Sequence, residues 1–196
     1  MSHHTLKTRL LHSIIALLII VQLATIFFID NQFFSKSIST NLFAIHKYSG
    51  ITSFVILFLF WVTLFKRHQG TSVQKLFPWF SLSALKNFKD AFTQSLSLAW
   101  QRKMPNHAIT SPLSSAFHGL GIIIMSIMAT TGVFRFIVYE YAITKTPLVE
   151  FIRSLHHVFG DYAWIYLGIH AAMALINQAT KTQSLSDMWS FKKQVF

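Results

Sequence analysis

Four long apolar runs divide the chain, at about residues 10–29 (LLHSIIALLIIVQLATIFFI), 42–65, 113–138 and 156–179. Crossing roughly 30 Å of hydrocarbon takes about 20 helical residues at about 1.5 Å each. Each run meets that length, so the pattern predicts four membrane-spanning helices. The first run is too long for the apolar part of a cleaved leader, and no small-x-small site follows it. It is expected to stay as a helix. Between the second and third runs lies a polar connection, 66–112. Within it Leu85, Phe88, Phe92, Leu96 and Trp100 recur at helical spacing, with Lys86, Lys89, Asp90 and Gln94 elsewhere on the wheel. That periodicity predicts an amphipathic helix lying in the membrane interface. The expected fold class is all-α: an integral membrane four-helix bundle with an additional interfacial helix, one domain over 1–196.

Composition strengthens this reading. Of 196 residues 53% are hydrophobic and 12% charged, and Phe alone contributes 20. A soluble domain carries about 25% charged residues, and could not cover this much apolar surface. The absence of Cys excludes disulfides, thiolate metal sites, iron–sulfur clusters and covalently attached c-type haem. The net charge of +11 would suggest nucleic acid in a soluble protein. Here the basic residues sit in loops beside apolar runs, which is the pattern of topology control and anionic-lipid contact, not of nucleic-acid binding. Most of them lie in the N-terminus (Lys7, Arg9), the long connection and the tail (Lys181, Lys192, Lys193); the opposite side holds Lys36, Lys47, Arg135, Lys145 and Arg153. Both termini and the long connection are therefore expected in the cytoplasm.

The 10 His residues carry the chemistry. His3, His4, His68 and His107 fall in polar segments and read as solvated. His12, His46, His118, His156 and His170 lie in or at the ends of the spans, where ionisable groups are costly and usually functional. His156 and His170 are 14 residues apart, which puts them on one helix face about 21 Å apart along the axis. His157 points to the opposite side. The alternating direction of the helices sets His12 at the depth of His170, near the inner surface, and His46 at the depth of His156, near the outer one.

Two imidazoles facing each other across a gap suit a haem held through both axial positions. Zinc would require further ligands, and only the off-register Asp161 is nearby. Gly50 and Gly160 lie one turn deeper than His46 and His156, and Ala16 one turn deeper than His12. Such small residues leave room for a macrocycle, and also serve ordinary helix packing. Arg9, Lys47 and Arg153 are candidates for contact with haem propionates, with anchoring of helix ends as their other reading. His118 and His157 have no depth-matched partner. For His118, in AFHGLG, a structural or surface role is expected ahead of the alternative, a hydrogen bond to a propionate or a quinone headgroup.

The stretch SLHHVFGDYAWIYLGIHAAMAL, supported by RLLHSIIALLIIVQ and HKYSGITSFVILFLFW, resembles the bacterial cytochrome b561 family. The b-type membrane subunits of nickel–iron hydrogenases and formate dehydrogenases are similar. The resemblance covers about residues 6–180. It implies two non-covalent haem b groups ligated by His12 with His170 and by His46 with His156. It also implies a bacterial inner-membrane location, a quinone as substrate or partner, and electron-transfer oxidoreductase activity, with superoxide one family donor. The alternative it leaves open is an anchor and electron-transfer subunit working with a redox partner protein. A non-redox transporter or proton channel is the rival from another class.

Overall fold

A computed structural model describes residues 5–30, 34–66, 71–101, 112–141 and 146–179. His3, His4, His68, His107, Lys145 and the basic tail lie outside the described residues. The elements are α1 (Leu6–Asp30), α2 (Lys36–Lys66), a single turn α3 (Val73–Leu76), a 3-10 turn (Pro78–Phe80), α4 (Leu82–Trp100), α5 (Pro112–Glu140) and α6 (Pro147–Ala179). No strand occurs among the described residues. Helices α1, α2, α5 and α6 are each long and apolar enough to cross a membrane. The fold is the all-α bundle that the apolar pattern predicts.

Helix ends depart from the apolar runs, and local chemistry says why. The fourth run predicts a start near 156, but α6 starts at Pro147. Thr146 caps it, its hydroxyl accepting from the Val149 amide at 3.3 Å, and proline suits the first helical position because its missing N–H is not needed there. Glu150 and Arg153 then occupy the first turns as an i,i+3 pair at 3.9 Å. Charges of this kind end an apolar run without ending a helix. Likewise α2 begins at Lys36, through polar turns that precede its apolar part.

Helix α1 packs along α2 and α5 along α6, with α2 also against α5, whereas α1 and α6 keep their backbones largely apart. Those two meet through side chains, as where Phe27 sets its edge to Trp164 at 6.3 Å. At mid-depth Leu23, Ile124 and Ala163 form a buried cluster, joined by Ile19, Met125 and Phe159. Ala163 is seven residues from both His156 and His170, so this cluster lies about 10 Å from each.

The long connection is tied down at the end of the bundle where α1 and α5 start, named the inner end after its expected orientation. Leu76 and Phe77 pack with Leu64 of α2, Trp61 stacks on Phe77 at 5.5 Å and 11°, and its indole N–H donates to Ser126 at 3.0 Å. A Cβ at Gly119 would overlap the Leu76 carbonyl; glycine there lets the connection lie against α5. Helix α4 leaves its apolar stripe exposed, with Leu96 at 62% and Trp100 at 90%. That disposition suits a helix lying on lipid.

Candidate functional site: imidazoles at two depths

At the inner level His12 of α1 and His170 of α6 face each other with ring centres 6.4 Å apart and planes at 48°. A third imidazole joins them. His118 of α5 stands edge-on to His170, centres 5.2 Å apart at 88°. The expectation that His118 has no depth-matched partner is therefore corrected. Helix α5 starts at the same end of the bundle as α1, so a histidine two turns into it comes level with His12. The His118 Nδ1 donates to the Ser114 carbonyl at 2.7 Å, because a carbonyl can only accept.

Aromatic rings wall this level. Phe117 lies nearly parallel to His170, at 6.4 Å and 7°, and Tyr166 stacks on it at 5.6 Å and 20°. A Cβ at Gly121 would overlap the Tyr166 ring, so this glycine makes the space that Tyr166 fills. Arg9, one turn before His12, is 5% exposed. The His12 Nδ1, Ser13 Oγ and Ser115 Oγ are buried with no hydrogen-bond partner among the described residues. Buried polar atoms left this way cost about 1–3 kcal/mol each, so several at one level call for a polar partner.

The outer level is built differently. The His46 Nδ1 lies 3.1 Å from Thr25 Oγ1 and 3.2 Å from the Gln22 carbonyl. The His156 Nδ1 lies 2.8 Å from Thr131 Oγ1, and the His156 ring is within hydrogen-bonding reach of the Met128 backbone. His46 and His156 are close enough to interact electrostatically. His157 is exposed on the other side of α6.

The remaining candidates sit around these levels. Lys47 places its ammonium over Tyr48 at 4.7 Å and Phe136 at 5.2 Å. Arg153 is exposed beside Glu150, and Arg135 lies within electrostatic reach of both His156 and Arg153. Gly50 faces the Gln22 side chain at 3.4 Å, and Gly160 faces the Met128 methyl at 3.9 Å. Among the described residues no group of three or more His, Asp or Glu is arranged to hold a metal ion. The inner imidazoles thus form a pair with a neighbour, not a three-ligand cage.

Long apolar helices with histidines opposed inside the bundle define a membrane-embedded helical protein suited to a planar metal cofactor. The family is Prokaryotic cytochrome b561: its description matches residues 3–191, nearly the whole chain, and the chain belongs to it. It is accordingly a multi-pass membrane cytochrome of b type, with a role in electron transfer, and the family implies haem b. Neither the curated proteins nor the solved structures contain a match.

The inner residues fit such a group on three counts. Two imidazoles sharing one metal through bonds of about 2 Å have ring centres roughly 6 Å apart, against 6.4 Å for His12 and His170. The backbones that carry them stand apart. A buried arginine and orphaned polar atoms lie beside them, as an acidic substituent would require. The edge contact of His118 at 5.2 Å is too close for the same sharing.

Proposed function

We propose that this protein binds two haem b groups and carries electrons across the bacterial inner membrane, between a donor on the outer side and the quinone pool. The carrying observation is that His12 and His170 face each other at 6.4 Å, supported by His46 and His156 lying within electrostatic reach of each other at the other depth. His12 with His170, and His46 with His156, are the proposed axial ligands. Haem with two histidine ligands supplies one-electron chemistry and keeps no open position for oxygen.

The chain's own groups do the rest. The cluster of Leu23, Ile124 and Ala163 keeps water out between the two levels. Arg9 would hold a propionate inside, and Lys47 and Arg153 would do so outside. Gly50 and Gly160 would give the outer group room, with the Gln22 and Met128 side chains that face them moving aside. Lys47, Arg135 and Arg153 make the outer end electropositive, which draws an anionic donor such as superoxide. Each superoxide would give up one electron and leave as dioxygen; two electrons and two protons turn a quinone into a quinol. The excess of Lys and Arg in the N-terminus, connection and tail supports cytoplasmic termini.

Proteoliposomes loaded with a quinone test this reading. Superoxide generated outside is expected to reduce the haem bands within the mixing time and to yield quinol. Bands that stay oxidised with superoxide and with every quinol, yet are reduced once a dehydrogenase partner is added, would replace this reading with that of a complex subunit.

A further inference from the structure

We infer that Thr25 and Thr131 are positioning residues: they hold His46 and His156 as the Nδ1–H tautomer, so that Nε2 is the nitrogen presented to the outer iron. The inference rests on the ligand assignment proposed above, and extends it to groups outside the histidines.

A threonine hydroxyl has a single proton to give. Thr25 Oγ1 lies 2.8 Å from the Val21 carbonyl and 2.9 Å from the Gln22 carbonyl. Thr131 Oγ1 lies 2.7 Å from the Ile127 carbonyl and 3.1 Å from that of Met128. In each case the proton goes to the threonine's own helix, because a carbonyl can only accept. The hydroxyl oxygen therefore turns lone pairs toward the imidazole. The second neighbour of the His46 Nδ1 is also an acceptor, the Gln22 carbonyl three residues before Thr25; on α5 the backbone of Met128, three residues before Thr131, stands beside the His156 ring in the same relation. With acceptors on both sides, the His46 Nδ1 carries the proton and Nε2 the lone pair; at His156 the Thr131 oxygen, its own proton spent on α5, asks the same of Nδ1.

The same device occurs twice. Helix α1 presents Thr25 and the Gln22 carbonyl to α2, and α5 presents Thr131 and the Met128 backbone to α6. Such repetition argues for orientation of a ligand, since a threonine satisfied only by its own helix needs no neighbour. Gly132, next to Thr131, would bring a Cβ to 3.3 Å from His156 Cε1, so the ring is also seated closely from the side. The inner His12 lacks this support, its Nδ1 having no partner among the described residues.

Hydrogen bonding at the far nitrogen fixes a metal-bound histidine's orientation and makes it more basic. A more basic ligand favours the ferric state, so the threonines lower the outer haem's potential.

The test uses full-length protein in detergent, with Thr25→Val, Thr131→Val, their combination, and the Thr→Ser counterparts. Haem per chain, helix content by circular dichroism, and a spectroelectrochemical titration are read together. The valine variants are expected to raise the midpoint potential of one haem component, the one missing in His156→Ala. Loss of that component alone, at unchanged helix content, supports the inference equally. Serine, which keeps the hydroxyl, should restore wild-type behaviour. Two haems at unchanged potentials in the double valine variant would overturn it.

A second measurement needs no haem. Nitrogen-15 spectra of histidine-labelled apoprotein should show His46 and His156 protonated at Nδ1 in the wild type. Protonation at Nε2 in either ring would overturn the inference. Wild-type protein that takes up no haem would defeat the ligand assignment, while these spectra would still decide the tautomers.

Discussion

The two imidazole levels share one helix, α6, and differ in nearly everything around it. The outer rings are gripped by polar atoms: the His46 Nδ1 lies between a threonine hydroxyl and a backbone carbonyl, and the His156 Nδ1 against a threonine hydroxyl. The inner rings are held by shape instead: Phe117 and Tyr166 lie against His170, and His118 meets its edge. The inner level also carries a buried cation, Arg9, whereas Arg153 at the outer level is exposed and Lys47 lies over aromatic faces. One pattern of spaced histidines is thus met by two kinds of support. A hydrogen-bonded ligand is tuned through its basicity, a stacked one through packing and the polarity of its surroundings.

The largest effects should come from the ligands themselves. His170→Ala or His12→Ala is expected to remove the inner haem, about half of the bound total, measured as pyridine haemochrome per chain. His46→Ala or His156→Ala should remove the other half. His118→Ala and His157→Ala should leave both. Loss of the inner haem in His118→Ala, with retention in His12→Ala, would redraw the inner site around His118.

Packing at the inner level offers the next test. Gly121→Val would displace the Tyr166 ring and is expected to cost about 1–3 kcal/mol of stability, read as a lower melting temperature in detergent. Its spectral effect should fall on the inner haem, the component missing in His170→Ala. An equal effect on both components would erase the contrast between the levels.

Arg9→Gln removes the buried cation. The inner haem should then be lost more readily on dilution, by about tenfold if one charged hydrogen bond of roughly 1.5 kcal/mol is involved. Arg153→Gln, on an exposed residue, should change outer haem retention far less.

The smallest expected effect concerns steering. Arg135→Gln or Lys47→Gln should slow haem reduction by superoxide by about two- to threefold at low salt, with the difference shrinking as salt rises. Reduction by an uncharged quinol should not change. Equal slowing of both donors would point to altered packing, not charge.

The four spans were legible because about 20 apolar residues in a row have few other meanings. The shared face of His156 and His170 followed from helical spacing alone. Where α6 begins was not legible in the apolar run, since Thr146 and Pro147 set the cap while Glu150 and Arg153 break the run. His118 was read as partnerless because depth was matched only between α6 and the first two spans. Its place beside His170 depends on α5, and Gly119, one residue on in AFHGLG, lets the connection seat against that helix. Thr25 and Thr131 carry almost no sequence signal, because a threonine in a membrane helix satisfies itself on the preceding turn. Only the neighbouring helix reveals that its other face is used.

The most direct measurement of the central claim is the ratio of haem to protein in purified, well-folded wild type, by pyridine haemochrome against quantitative amino-acid analysis. The proposed pairing of four histidines at two depths predicts two haem b groups per chain, both low-spin in the electron paramagnetic resonance spectrum. A ratio of one, or none, would contradict it.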